Sequence, residues 1–169
     1  HWFQRLFGLI KKKALMIKID VILKSINWTK YLKNPKIFVN KKLKLLNGKN
    51  EIFKNNILKC SLLLARSPDI KKLNKKFRKK NKSTDILSFP FHEKRQLNLK
   101  IKKQKEIYIG DIIINLDKIK NKLNKSEFNL EFNKLWIHGL VHLLGYKHKS
   151  DKDFYLMNKM EKKFLKYIY

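Results

Sequence analysis

The sequence predicts an α+β fold, a small mixed β-sheet of about four strands with helices packed on it. Three observations predict it. Residues 17–23 alternate, with Ile17, Ile19, Val21 and Leu23 on one side, as in a half-buried strand. Two mostly apolar runs, ILKCSLLLA at 57–65 and IYIGDIIIN at 107–115, have the length and composition of buried strands. The last third of the chain instead repeats its apolar residues at helical spacing. At 169 residues and 43% hydrophobic, the chain suits one domain with a single core rather than a disordered polymer.

The elements follow in order. After the strand at 17–23, Asn27 to about Leu46 is helical and rich in lysine, and NGKN at 47–50 reads as a turn. SPD at 67–69 starts a helix running to about Lys80: Ser67 caps, Pro68 takes the first turn and Asp69 meets the dipole. TDILSFPF at 84–91 is a short strand ended by Pro90. Residues 92–106 read as a polar loop or loose hairpin. Gly110 marks a bulge or close approach in the strand at 107–115. Helical segments follow near 116–124, 127–144 and 151–168, in which Met157 and Met160 form a core stripe. The order is β-α-β-α-β-β-α-α-α, with no repeat and no dividing linker. Residues 1–15, HWFQRLFGLIKKKAL, are read as an extension outside the fold, which leaves 16–169 as a single domain. A basic amphipathic membrane-surface helix is the competing reading of that segment.

Forty-two Lys+Arg against 13 Asp+Glu give a formal net charge of +29, a field that favours a polyanion such as nucleic acid. The arginines are only Arg5, Arg66, Arg78 and Arg95, and Asn and Ile are abundant, so an A+T-rich genome explains part of the lysine excess. The single cysteine, Cys60, cannot form an internal disulfide; this agrees with a reducing cytosol and a cytoplasmic protein. Its setting, CSLLLA, makes it core. No apolar stretch reaches the roughly 18 residues that cross a bilayer, so no membrane partner is expected.

HGLVHLLGYKH, residues 138–148, holds three of the five histidines. His138 and His142 are i and i+4, on one face of a helix. Gly145 can turn the chain back in a left-handed conformation and bring His148 round as a third ligand, a zincin-like arrangement of a helix followed by a glycine turn. Three nitrogens with an open fourth position characterise a catalytic rather than a structural zinc. His ligands also suit nickel, cobalt or copper. In H-E-x-x-H proteases a Glu follows the first His as general base. Here that position is Gly139, which moves no proton. Peptide hydrolysis is thereby disfavoured, and phosphodiester hydrolysis, which needs cations on the phosphoryl oxygens, remains.

Four stretches together resemble the YbeY family, the metal-dependent endoribonucleases of bacterial rRNA maturation. HGLVHLLGYKH resembles its H-G-x-x-H-L-x-G-Y-D-H. LNKKFRKKNKSTDILSFPF (73–91) is similar to L-N-x-x-[YF]-R-x-x-x-x-[PS]-T-D-V-L-S-F-P-F, IGDIIIN (109–115) to L-G-D-I-x-I, and DFYLMNKMEKKFL (153–165) to the M-x-x-x-E helix. MIKIDVIL resembles the family's first strand, so the likeness spans about 16–165. It implies one zinc per chain on His138, His142 and His148, with Arg78 as the catalytic arginine in the cleft. Arg suits that role because its planar, always-charged fork bonds phosphate through two N–H groups. It also implies single-strand-specific cleavage in 16S rRNA 3′-end maturation and ribosome quality control, with an rRNA precursor and the small subunit as partners.

Thr84 or Asp85 is expected to cap a turn and satisfy backbone N–H groups near the site, or Asp85 instead orients a metal-ligating His through its second nitrogen. Asp111 has the same two readings. Glu161 pairs with a lysine or sits near the site, and His92, outside the ligand spacing, is a surface residue. Lys147 departs from the family pattern, which has Asp there. Two other functions stay open: a metalloprotease-like hydrolase, and a non-catalytic RNA- or ribosome-binding protein with a structural zinc whose fourth ligand is Cys60 or a carboxylate.

Overall fold

Residues 16–49 and 56–169 are described by the structure, a computed structural model; the expected extension at 1–15 and the end of the expected turn, Asn50, lie outside the described residues. Strands β1 (Met16–Leu23), β2 (Ile57–Ala65), β3 (Ile86–Pro90) and β4 (Glu106–Asn115) form one sheet in the order β1-β2-β4-β3. β1, β2 and β4 run parallel, and β3 is antiparallel to β4, so the sheet is mixed as expected. Among the described residues five α-helices accompany it: α1 (Pro35–Lys49), α2 (Ser67–Arg78), α3 (Lys94–Lys103), α4 (Lys125–Leu143) and α5 (Asp151–Ile168).

Pleating divides the strand residues between two faces. Ile17, Leu58, Cys60, Ile112 and Ile114 join the main core with residues of α1, α4 and α5. Trp28, fully buried, donates Nε1–H to the Ala65 carbonyl at 3.0 Å and lies against Phe128 and Phe132. Met157 is buried in this core and Met160 packs partly against it. On the other face α2 builds a small second core, Ala65, Ile70, Leu87 and Ile113. Burial of each large apolar side chain stabilises the fold by about 1.5–3 kcal/mol.

Gly110 sits at a register irregularity opposite Lys59 and Cys60, with φ +138°. A Cβ there would lie 2.2 Å from the Phe89 carbonyl oxygen, so the expected bulge is one only glycine can occupy. No helix among the described residues is long and apolar enough to cross a membrane.

Four local expectations are corrected. NGK at 47–49 is the last turn of α1, not a loop. Asn47 spends its side chain on the backbone of Ile17, accepting from its N–H and donating to its carbonyl, each at 2.9 Å, as a neighbouring strand would on the β1 edge. Ser67 is the first residue of α2 and makes no side-chain cap; the Asp117 carboxylate accepts from its N–H at 2.8 Å instead. Residues 94–103 form α3 rather than a loop, because Glu93 and Gln96 make a reciprocal capping box and Leu97 is buried. The helix expected near 116–124 is only a 3₁₀ turn, Leu116–Lys118.

Candidate metal centre

α4 begins where the Asn124 side chain accepts from the Glu127 N–H at 3.1 Å. Phe128, Phe132, Trp136 and Leu140 bury one side of it. His138 and His142 project beside one another from the half-buried side, with ring centroids 4.7 Å apart. The helix stops at Gly145, whose φ of +91° is left-handed and whose N–H bonds the His142 carbonyl at 2.9 Å. A Cβ there would lie 2.7 Å from Lys94 Cβ, so the turn is also pressed against α3. The reversal returns His148 to 4.9 Å from His142, centroid to centroid. One ligand nitrogen from each of the three histidines lies within 4.8 Å of the others.

The donor set fits a metal ion. Glu161, on α5, has Oε1 2.7 Å from His138 Nδ1. His142 Nδ1 is 3.0 Å from the Tyr146 carbonyl oxygen, an acceptor, and so carries the proton. With both Nδ1 atoms engaged, the Nε2 lone pairs are left for the ion. Burial holds the His142 imidazole below its usual proton affinity, and the neighbouring His138 and His148 push the same way, which favours the neutral form that ligates. Among the described residues no Cys or carboxylate joins the cluster as a fourth ligand. Cys60 lies in the β2 core with its thiol pushed up to about 12 by burial, so it does not close the site.

Gly139 has a structural cause. A Cβ on it would meet Ile112 Cγ2 at 2.7 Å and Cδ1 and Cγ1 at 3.1 Å. α4 packs so closely against β4 that any side chain there would have to displace Ile112 in the core, which disfavours the protease glutamate at this position.

The other expected residues divide. Asp85 lines an open cleft with Ile86, Lys134, His138 and Glu161. Its Oδ1 accepts from the Ile86 N–H at 2.8 Å, the turn bonding expected of one of the pair, while Thr84 Oγ1 donates to the Ile86 carbonyl at 2.6 Å. Asn115 N–H bonds the Asp85 carbonyl, so in the antiparallel register the Ile86 and Ser88 backbone groups point to the free edge of β3. Arg78 donates Nη2–H to the Ser88 carbonyl at 2.8 Å and lies over the Phe89 ring. Thr84, Asp85 and Arg78 thus cover a bare strand edge.

Asp111 is not brought to the histidines. Ile112, next to it, faces Gly139, so Asp111 points to the opposite side of the sheet, where it accepts from the Tyr108 hydroxyl at 2.6 Å. The orienting carboxylate is Glu161 instead, one of the two roles its sequence left open. His92 is exposed. Lys147 pairs at 3.0 Å with Glu93, at the N-terminus of α3. Sequence reasoning missed Asn115. Fully buried, it donates to Ser83 Oγ and the Thr84 carbonyl and accepts from the Asp117 N–H, locking the segment that leads into β3.

A family model described as Endoribonuclease YbeY matches residues 24–169. A curated Endoribonuclease YbeY of Pelagibacter ubique is 41% identical over 155 residues, covering 90% of this chain and 97% of the relative. Its counterpart in Ehrlichia canis is 33% identical over 152 residues, covering 89% and 91%. The solution structure of TM1509 from Thermotoga maritima superposes with a TM-score of 0.55 at 25% identity, over 89% of each chain.

Proposed function

The chain belongs to the YbeY endoribonuclease family, and from that premise we propose that it is a zinc-dependent, single-strand-specific endoribonuclease acting in 16S rRNA 3′-end maturation and ribosome quality control. Its substrate is a ribosomal RNA precursor, met at the small subunit in the cytoplasm. The observation that carries the reading is the three-histidine cluster with two Nδ1 atoms already engaged and no fourth protein ligand among the described residues. An ion held there supplies Lewis acidity and an acidified water at neutral pH.

The chain's own residues do the rest. Glu161 holds the His138 ring in one orientation, and the Tyr146 carbonyl does the same for His142. Arg78 spends one N–H on Ser88, which fixes its plane at the β3 edge and leaves further N–H groups for a phosphate. The open cleft beside His138 has Lys134 and Lys162 on its wall, cations suited to a phosphate backbone.

Glu161→Gln is expected to weaken metal affinity about 10- to 100-fold while the chain stays folded. Competition against a chromogenic chelator measures it, and wild-type affinity would show that Glu161 does not orient the ligand. The function itself is tested with a 3′-labelled 16S precursor. The zinc-loaded chain is expected to cut it at discrete unpaired positions, and Arg78→Ala to cut about 100- to 1,000-fold more slowly while keeping its metal. Cleavage of casein but not RNA would overturn the reading in favour of a protease, and no cleavage of either would leave a binding protein.

A further inference from the structure

We propose that the part of the sheet face left uncovered by α2, opposite the face that α4 packs against, is a stacking surface for unpaired RNA nucleotides. It is built on Phe77, Phe89, Phe91 and Tyr108. Nothing in the histidine site requires this surface, and RNA would bind there whether or not the histidines cut it.

α2 covers only one end of that face, through Ile70 and Leu73. Beyond it, Lys18, Lys59 and Tyr108 stand side by side in register across β1, β2 and β4. Tyr108 meets Phe91 edge to face at 5.2 Å between centroids. Phe89 lies two residues before Phe91, which follows the end of β3 and whose N–H still bonds the Ile109 carbonyl of β4 at 3.0 Å. Phe89 in turn meets Phe77 at 5.5 Å. The result is two aromatic pairs. Phe77 is 58% exposed, Phe91 56% and Tyr108 39%. The fold gains little from rings this exposed, whereas bases splayed along an extended strand stack on such rings.

Charge selects the occupant. Lys76 lies 5.2 Å from the Phe77 centroid, and Arg78 5.5 Å from that of Phe89, so cations flank the rings where a phosphate backbone would run. The carboxylates on this face are largely engaged: Glu106 pairs with Lys59 at 2.5 Å, and Asp111 takes the Tyr108 hydroxyl. Asp20 stands in the next row, beside Ser61. A chain of net charge +29 presents this surface to polyanions before other partners. Arg78 sits at the β3 edge, so a strand lying on the rings leaves the face past the residue read above as the phosphate contact.

The test is binding, not cleavage. The full chain carrying His142→Ala, so that RNA is not consumed, is titrated at fixed salt into a fluorescein-labelled, unstructured 12-nucleotide RNA and followed by anisotropy. Adding Phe91→Ala or Phe77→Ala is expected to weaken binding by roughly 5- to 100-fold each. Phe91→Leu, which keeps apolar bulk without a ring, is expected to lose binding like Phe91→Ala and guards against an unfolded alanine variant. A duplex of the same length is expected to bind without regard to any of these changes. Wild-type affinity in both phenylalanine variants, or equal losses for duplex and single strand, would overturn the proposal.

Discussion

Replacing Gly139 with glutamate, which restores the protease-type H-E-x-x-H spacing, is expected to unfold the protein rather than to supply a base. The new Cβ would stand 2.7 Å from Ile112 Cγ2, where α4 and β4 are pressed together in the core. Overpacking alone costs about 1–3 kcal/mol. An unpaired carboxylate driven against Ile112 adds several more, of order 3–5 kcal/mol by analogy with a buried charge left without its partner. A domain with a total stability of about 5–15 kcal/mol has little left after that. Gly139→Ala separates the two costs: it keeps the overpacking, less about 1 kcal/mol of gained helix propensity. Urea unfolding followed by circular dichroism is the measurement. A Gly139→Glu variant as stable as wild type would show that the close approach of α4 to β4 is wrong.

His142→Ala is expected to abolish stoichiometric metal binding and RNA cleavage together. Two of three ligands remain, and His138 and His148 alone leave the set below the three that hold a catalytic ion. The same site predicts a dependence on pH. His142 has a folded pKa below its ordinary value of 6.5, so the unfolded chain binds protons more readily than the folded one. Its contribution to the stability of the metal-free chain is therefore full above about pH 6.5 and declines as pH falls from there through the lower folded value. Metal affinity falls in the same direction, since a protonated imidazole cannot ligate. Isothermal titration across pH 5–8 on wild type and His142→Ala checks the affinity, and urea unfolding of the metal-free chains over the same range checks the stability. Tight one-to-one binding in the variant would remove His142 from the ligand set.

The histidine centre was legible because its signal is local: i, i+4 spacing and a glycine three residues later determine where three rings can meet. Glu161 was harder, since no pattern links a residue on α5 to His138 on α4, and only the packing of the two helices decides its partner. Asp111 misled for the reverse reason. Its family context is real, but a strand alternates faces, and which face it takes depends on the bulge at Gly110. α3 was hidden by Gln96 and Asn98 beside Leu97 and by lysines on both sides of Ile101, so the polar composition of 92–106 outweighed a weak helical pair and a capping box. At Asn47 and Gly48 the turn-like dipeptide lost to tertiary bonding, because Asn47 serves the β1 edge. Gly139 shows the two levels side by side. The chain displays a missing base; the structure shows why no base fits.

The most direct test of the central claim is a chelation cycle on the intact chain. Cleavage of a labelled single-stranded rRNA precursor, bound metal by elemental analysis and circular dichroism would be followed together through chelation and zinc re-addition. The account predicts one zinc per chain, cleavage lost on chelation and recovered on re-addition, and a fold that persists throughout, because the core of α1, α4, α5 and the sheet does not depend on the ion. Cleavage that continues in the metal-free chain, or a fold that collapses with the ion, would contradict it.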